Sequence, residues 1–280
     1  GGTWPFCSAR PTDCEQFGLD FVKSSKAGDG LLSCFSGNKV LCRPKTIVSA
    51  VLPSEPNELN IMTYNVYDFP YLLVTMGQRE RICRIPSELY RNFWDVDILL
   101  VQELFMEGAV EQLNFRKMMK HYGWKYSTDT LGSRFIVSGG VAIFSKYPLF
   151  NIEFEVFAFT GFRLDALSPK GFVYANFEKD GRTFHIISTH FQAWDGDKLD
   201  KIRLAQGRQI RNFLNNRNIS SEDAVIIGGD FNFNYLTQKS SIDQLFTNMD
   251  MTMVPIGGSL DTTFDPNLNN IVSVFEEPAW

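Results

Sequence analysis

Hydrophobic and polar positions along the chain predict strands and helices that follow one another in turn. Residues 59–66 alternate apolar and polar side chains, which is typical of a strand with one buried face. Continuous apolar runs predict further strands, and apolar positions at helical spacing predict helices. The expected strands cover residues 59–66, 96–103, 139–148, 150–160, 171–177 and 183–190, with a last strand that starts at Val225 and breaks at Gly228 and Gly229, and the expected helices cover residues 77–94, 106–123 and 198–216. This succession predicts an α/β fold with a mixed β-sheet.

The length and composition of the chain limit the number of domains and the kinds of partner that are expected. The 280 residues are 44% hydrophobic, which suffices for one large domain or for a domain plus a small module. The net charge of -5 and the lack of clustered lysine and arginine disfavour nucleic acid as a partner. No apolar run approaches the length of a membrane-spanning helix, so a soluble protein is expected.

Cysteines are concentrated near the start of the chain. Four of the five lie in the first 42 residues, namely Cys7, Cys14, Cys34 and Cys42, and only Cys83 lies beyond them. A segment too short for its own core is expected to use them as two disulfides, with all three pairings open, and to leave Cys83 as a buried thiol. A zinc site is the alternative, but the segment has no Cys-x-x-Cys motif and no histidine.

Two further features divide the chain and indicate its compartment. Pro53 and Pro56 predict an extended linker, which gives a cysteine-rich module over residues 1–50, a linker over 51–57 and the main domain over 58–280. Disulfides imply a secreted, luminal or extracellular protein. The sequon at Asn218, a glycosylation candidate, agrees with that localisation.

Candidate chemistry lies where the predicted strands end. The polar residues at those carboxyl ends are Asn65, Glu103, His190, Asp230 and Asn232. In a layered α/β fold such ends converge, so distant residues can share one pocket. Carboxylates, amides and an imidazole suit a hard divalent cation such as Mg²⁺ bound to a phosphate. Gly228 and Gly229 are expected to let a ligand approach the backbone there.

Each of these residues also has a plainer interpretation. Residues 230–234 can be an Asx-rich turn that follows a strand. Glu103 alone fits a carboxylate that stabilises a helix start. His185 lies in the middle of a predicted strand and is expected to be structural. Only the combination of strand ends points to a catalytic site.

Several motifs resemble the endonuclease/exonuclease/phosphatase superfamily, which has the DNase I-like fold, and within it the secreted neutral-type sphingomyelinases. The resemblance covers residues 59–270, and its marks are Met62-Thr-Tyr-Asn-Val-Tyr67, Glu103-Leu-Phe105, Gly139-Gly-Val-Ala-Ile-Phe-Ser-Lys146, Lys170-Gly-Phe-Val-Tyr174, Thr189-His-Phe-Gln192 and Gly228-Gly-Asp-Phe-Asn232. It implies a four-layer sandwich of two mixed β-sheets flanked by helices, here preceded by the small disulfide-stapled segment.

The resemblance also implies a reaction and a role for each residue. Glu103 would be the metal ligand, with Asn65 beside the Mg²⁺ and the phosphate. His190 and Asn232 would bind the phosphoryl oxygens, and Asp230 would assist the leaving group or orient the water. The expected activity is hydrolysis of sphingomyelin in membrane surfaces to ceramide and phosphocholine.

Two departures from the family pattern keep alternatives open. Val137 and Ser138 stand where bacterial members carry an acidic pair that contributes to an edge metal site. The family's last two strands, one of which carries the general-base histidine, have no counterpart among these residues, so a separate chain is one expected source of them. A non-catalytic binding or structural relative, or a phosphodiesterase of this fold with another substrate, are the alternatives.

Overall fold

The computed structural model describes residues 6–16, 19–26, 36–45, 55, 57–70, 77–107, 114–132, 138–159, 168–258 and 263. In chain order these residues form β1 (Phe6–Ser8), α1 (Pro11–Gln16), β2 (Leu19–Ser25), β3 (Ser36–Pro44), β4 (Ile61–Asp68), α2 (Gln78–Asn92), β5 (Ile98–Leu104), α3 (Phe115–His121), β6 (Tyr126–Ser127), β7 (Ala142–Ser145), β8 (Phe150–Val156), β9 (Gly171–Lys179), β10 (Arg182–His190), α4 (Asp197–Asn215), β11 (Ala224–Asp230) and α5 (Lys239–Met249).

Two four-stranded sheets form the centre of the described fold. Their strand orders are β4-β5-β7-β6 and β11-β10-β9-β8. In each sheet one pair is parallel, β4 with β5 and β10 with β11, and the other pairs are antiparallel. Both sheets are therefore mixed, as the sequence predicted.

The two sheets pack face to face, and helices cover their outer faces. Leu100 and Ile143 of the first sheet share a buried cluster with Val173 and Ile186 of the second. On the outer face of the first sheet, α2 and α3 contribute side chains such as Ile82 to a second cluster, and α4 and α5 complete a third on the other side. Each large apolar side chain buried this way stabilises the fold by about 1.5–3 kcal/mol. The predicted four-layer sandwich is confirmed.

The helices follow the predicted apolar stripes. In α4 the buried side chains include Leu204, Ile210 and Phe213, which recur at helical spacing. Gly207 lies on the same face, where a Cβ atom would come within 2.5 Å of Leu245 Cδ1, so the glycine allows α5 to pack closely against α4. The helix predicted over residues 106–123 is shorter, since α3 covers only Phe115–His121 and residues 108–113 lie outside the described part.

The N-terminal segment forms a third sheet that the sequence did not predict. Its strand order is β1-β3-β2, and the disulfide Cys14–Cys42 ties α1 to β3. Cys14 and Leu19 share the buried cluster of α2 and α3, so this sheet packs on the main domain. One of the two predicted disulfides is thereby confirmed. The remaining two cysteines stay a prediction, because Cys34 and the side chain of Cys7 are not described.

The fifth cysteine, the linker and the membrane-spanning potential of the helices were also subjects of prediction. Cys83 is a buried thiol, as expected. Most of the predicted linker, and nearly all residues after 258, lie outside the described part. In the described part, no helix is both long and apolar enough to cross a bilayer.

Candidate active site

Four of the predicted residues meet at one edge of the sandwich. Within the second sheet His190 pairs with Asp230, and within the first sheet Asn65 pairs with Gln102, the neighbour of Glu103. Asn65 Nδ2 donates a hydrogen bond to Asp230 Oδ2 over 3.0 Å, which joins the two sheets. His190 Nε2 lies 3.8 Å from both Glu103 Oε1 and Asp230 Oδ2. The predicted convergence of the strand ends is therefore confirmed.

Unusual backbone conformations place the carboxylate and amide side chains. Glu103 and Asn232 have φ angles of 57° and 52°, in the left-handed region that costs a non-glycine residue free energy. Beside Glu103 the chain has Gly140, whose φ is 65° and whose carbonyl accepts the Leu104 N–H over 2.9 Å. A Cβ atom at Gly140 would lie 2.9 Å from Glu103 Cα, so only glycine fits there.

The glycines before Asp230 are required by close packing against neighbouring strands. A Cβ atom at Gly229, where φ is 148°, would lie 2.0 Å from the Thr189 carbonyl oxygen. At Gly228 it would lie 2.6 Å from Leu100 Cδ1 in the other sheet. These glycines let β10 and the facing sheet approach the strand. That a ligand approaches the backbone there stays a prediction.

Lys170 is a site residue that was not among the predicted ones. Its ammonium nitrogen lies 3.0 Å from His190 Nε2 and 3.2 Å from His190 Nδ1, and its side chain is buried. The feature that could have indicated Lys170 is the pairing of β9 with β10. An antiparallel hairpin sets the start of β9 beside the end of β10. A lysine just before β9 therefore lies next to His190.

Charge in the site is divided between Lys170 and the carboxylates. Burial, followed by the charge of Lys170, lowers the pKa of His190 well below its ordinary value, and Asp230 only partly opposes this. His190 is therefore neutral at physiological pH, with one N–H donor and one acceptor nitrogen. The cation beside His190 that acts on Asp230 is the ammonium of Lys170.

Asp230 is ionised in this setting. Burial raises the pKa of Asp230, but the hydrogen bonds from Asn65 and the Asn232 backbone and the charge of Lys170 lower it below its ordinary value. The Asn232 N–H donates to Asp230 Oδ1 over 2.9 Å, and Asn232 Nδ2 donates to the Phe191 carbonyl over 3.0 Å. These bonds leave the Asn232 amide oxygen and one amide hydrogen for other partners.

A buried carboxylate supports the two strand ends of the first sheet. Asp68 Oδ2 accepts the Met106 N–H over 3.0 Å, and so ties the end of β4 to the chain that follows β5. Burial raises the pKa of Asp68 to about 7, although hydrogen bonds from the Met106 and Glu107 backbone act in the opposite direction. Arg81 donates to the carbonyls of Val66 and Tyr67 in the same region.

The donor set fits a hard cation. Glu103 and Asp230 supply carboxylate oxygens and Asn65 an amide oxygen, at one edge of the sandwich. Mg²⁺ prefers one or two carboxylates, and takes its other ligands from water and substrate oxygens. Among the described residues, no group of three or more His, Cys, Asp or Glu side chains forms a ready metal cage. The chemistry of the residues thus suits Mg²⁺ better than zinc.

The fold and this site define the class of protein. The sequence profile of the endonuclease/exonuclease/phosphatase family matches residues 62–270, so the chain belongs to that family. The chain is 30% identical over 262 residues to a sphingomyelinase C of Bacillus cereus, with 86% of this chain and 78% of that protein covered. It is 32% identical over 233 residues to a phospholipase C of Staphylococcus aureus, with 78% and 69% covered.

Solved structures agree with the sequence relatives. A beta toxin variant of Staphylococcus aureus, crystallised with bound magnesium ions, superposes with a TM-score of 0.69 at 30% identity. The match covers 78% of this chain and 80% of the toxin. The resemblance inferred from the motifs is therefore confirmed.

Proposed function

We propose that the chain is a secreted, Mg²⁺-dependent phosphodiesterase that hydrolyses sphingomyelin to ceramide and phosphocholine. The observation that carries the proposal is the position of His190, 3.8 Å from Glu103 and Asp230 and 3.0 Å from the Lys170 ammonium. Similarity to the sphingomyelinase C and phospholipase C relatives supports the choice of substrate.

The site separates groups that bind an anion from groups that bind a cation. A phosphodiester carries one negative charge, and Lys170, the N–H of neutral His190 and the amide of Asn232 can each donate a hydrogen bond to its oxygens. Glu103 would hold Mg²⁺, with the Asn65 amide beside it. When bound, the metal ion withdraws charge from the phosphate oxygens.

Asp230 has the properties of a group that orients water. Its lowered pKa keeps it deprotonated near neutral pH, so it can accept a hydrogen bond from water but has no proton to give to the leaving oxygen. Asn65 fixes one carboxylate oxygen and the Asn232 backbone fixes the other. Of the two roles expected for Asp230, orientation of the attacking water is the one that we propose.

Two observations support a compartment outside the cytoplasm. The Cys14–Cys42 disulfide forms and persists best in an oxidising environment. Asn218, the glycosylation candidate, is exposed. Secretion would also bring the protein to the outer surface of membranes, where sphingomyelin is its proposed partner.

The decisive assay is phosphocholine release from sphingomyelin vesicles, with Mg²⁺ and then with a chelator. Release that needs the metal and is abolished in His190→Ala is the expected result. Cleavage of a phosphoinositide or nucleotide instead would assign another substrate. Lipid binding without cleavage would identify a non-catalytic relative.

A further inference from the structure

Two buried carboxylates tie β4 to β5, one at each end of this strand pair. At the far end, Asp97 precedes β5 and accepts the N–H of Asn60, which precedes β4, through Oδ2 over 3.0 Å. At the end that carries the site, Asp68 is the last residue of β4 and accepts the Met106 N–H through Oδ2 over 3.0 Å. The Asp68 carboxyl group also accepts a hydrogen bond from the Glu107 backbone. Both aspartates are almost fully buried, at 0% and 1% exposure.

The pairing of β4 with β5 is regular at the far end and irregular at the end that carries the site. From Ile61 to Asn65 the two strands keep one register, but the register shifts between Asn65 and Asp68. Tyr67 and Glu103, near the shift, have φ angles of 49° and 57°, in the left-handed region. A bulge of this kind interrupts the ladder of hydrogen bonds that fixes two paired strands. The positions of Asn65 and Glu103 therefore depend on other contacts.

Side chains supply these contacts on the β4 side. Arg81 of α2 donates to the carbonyls of Val66 and Tyr67, inside the shifted segment. Asn65 Oδ1 accepts the Tyr67 N–H over 3.1 Å, so the same segment orients the amide that is proposed to lie beside the metal. Asp68 ends the segment, because pairing with β5 resumes there. The Asn65 amide is thus oriented by a bulge that Arg81 and Asp68 hold.

Asp68 fixes the end of β5 as well. Leu104, the residue after Glu103, pairs with Asp68 in the sheet. Two residues further on, the Met106 N–H donates to the Asp68 carboxylate. A site works only when its groups are held within about 0.5 Å of their productive positions, so a displaced strand end displaces the ligand that it carries. One carboxylate therefore supports both strand ends, with Asn65 on β4 and Glu103 on β5.

Groups that orient metal ligands contribute to metal affinity although they do not touch the metal. Their removal typically lowers affinity by about 10–100-fold. The Asp68 carboxylate accepts hydrogen bonds from the backbone beyond β5, and so acts on Glu103 through the chain that connects them. Asp97 makes the same kind of link at the opposite end of the strands, away from Glu103. The two aspartates differ in their distance from the site, which separates support of the metal site from support of the fold.

We propose that Asp68 is a positioning residue for the metal site, and that it holds the ends of β4 and β5 so that Asn65 and Glu103 can act on the same Mg²⁺ ion. The inference rests on the proposed function, which assigns Mg²⁺ to Glu103. It gives Asp68 no contact with the metal or the lipid. Loss of the Asp68 carboxylate should therefore raise the Mg²⁺ concentration that the protein requires, and leave the rate at saturating Mg²⁺ close to that of the wild type.

The experiment compares three variants of the full chain with the wild type. Asp68→Ala removes the carboxylate at the site, and Asp97→Ala removes its counterpart at the far end of the same strands. Asp68→Asn keeps an oxygen that can accept the Met106 N–H. Calorimetric titration measures the Mg²⁺ affinity, and thermal unfolding of the metal-free proteins measures the cost to the fold. Phosphocholine release from sphingomyelin vesicles is then followed as a function of Mg²⁺ concentration.

The expected result is Mg²⁺ binding weakened roughly tenfold or more in Asp68→Ala and unchanged in Asp97→Ala. Both variants should unfold at a lower temperature, since each leaves a buried backbone N–H without its acceptor. Asp68→Asn should retain most of the affinity. In the assay, Asp68→Ala should need a similarly higher Mg²⁺ concentration for half-maximal release. A merely structural role predicts instead that all folded variants bind Mg²⁺ equally.

Equal Mg²⁺ affinity of Asp68→Ala and the wild type would overturn the proposal, as would an equal loss of affinity in Asp97→Ala. If Asp68→Ala does not fold, Asp68→Ser takes its place, because its hydroxyl group is shorter than the carboxylate but keeps a polar atom at the position. A wild type that binds Mg²⁺ and cleaves no sphingomyelin would refute the proposed function. The affinities of the variants would still decide the role of Asp68 in that case.

Discussion

Strand β10 carries two buried histidines, and their surroundings differ. His185 lies on the face toward α4, where Tyr174 is its neighbour, and His190 lies on the face between the sheets. The two are five residues apart, so the alternation of side chains along a strand sends them to opposite faces. The role of a histidine on this strand therefore depends on the face of the sheet on which it lies and on whether it stands at the carboxyl end of the strand.

The partners of the two rings show what separates a structural histidine from a catalytic candidate. At His185 the carboxylate of Asp223 lies 3.3 Å from Nε2 and can only accept, so Nε2 carries the proton and Nδ1 accepts the Tyr174 hydroxyl over 2.6 Å. Both ring nitrogens are thus satisfied by the protein. His190 instead faces an ammonium and two carboxylates at a strand end.

The largest expected effect is on turnover. His190→Gln should lower kcat/KM by about 10²–10⁴-fold, because it removes a positioned donor to the phosphate. His185→Gln should leave kcat/KM within about twofold, since its partners lie away from the site. Phosphocholine release by the two purified variants, each checked for native secondary structure, provides the measurement. An equal fall in both would remove the distinction.

The carboxylates near the two histidines should differ in their effect on Mg²⁺ affinity. Glu103→Gln should weaken Mg²⁺ binding by at least about tenfold, because the site loses a charged ligand. Asp223→Asn, which changes the carboxylate beside His185, should leave it unchanged. Calorimetric titration of both variants tests this. Equal affinities in Glu103→Gln and wild type would move the metal to other residues.

The pH dependence of stability tests the state of His190. Its folded pKa is lowered, so between that pKa and about 6.5 the unfolded chain binds a proton that the folded chain does not. Its contribution is fully present above about pH 6.5 and is lost as the pH falls, by at most about 1.4 kcal/mol per pH unit. Denaturant unfolding in metal-free buffer measures this. As the pH falls below about 6.5, the unfolding free energy of His190→Gln should fall less steeply than that of the wild type.

Asp68 supplies an internal control of opposite sign. Burial raises its pKa to about 7, so its contribution is present at acid pH and is lost as the pH rises through that value. Asp68→Asn removes this contribution, so the unfolding free energy of the variant should fall less than that of the wild type as the pH rises toward 7. The two variants, His190→Gln and Asp68→Asn, should change the plot of unfolding free energy against pH in opposite directions. A change in the same direction would contradict the assignment of a neutral His190.

The smallest expected effect on activity comes from loss of the hydrogen bond between Tyr174 and His185. Burial raises the pKa of Tyr174 above its ordinary value, which keeps its hydroxyl protonated as a donor to His185. Tyr174→Phe should cost about 1–3 kcal/mol of unfolding free energy, since it leaves a buried ring nitrogen unsatisfied. Thermal unfolding measures this, with the exposed Tyr126→Phe as control. Activity should be unchanged, and a lower kcat would place Tyr174 in the catalytic machinery.

Much of the fold could be predicted because it follows from periodicity. The helices predicted over residues 77–94 and 198–216 are observed as Gln78–Asn92 and Asp197–Asn215. The apolar stripe of each helix packs on its own sheet, so the local pattern and the tertiary contacts agree. The convergence of Asn65, Glu103 and Asp230 followed in turn from the strand ends.

What could not be predicted depends on contacts between distant parts of the chain. The N-terminal strands have few apolar residues, and their sheet is held by Cys14–Cys42 and by packing on α2 and α3. Lys170 carries no local sign that its ammonium is buried against a histidine. Gly229 was placed correctly, but its neighbour is the Thr189 backbone, which only the pairing of two strands reveals.

The hydrogen bond from Asn65 to Asp230 joins residues that are 165 positions apart. A ribosome therefore makes β4 early and β11 late, and the two sheets can close the site only after β11 has paired with β10. Until Asp230 has been synthesised, a growing chain holds Asn65 and Glu103 without their partner. For a protein proposed to hydrolyse membrane lipids, the order of synthesis thus delays assembly of the site until most of the chain has been made.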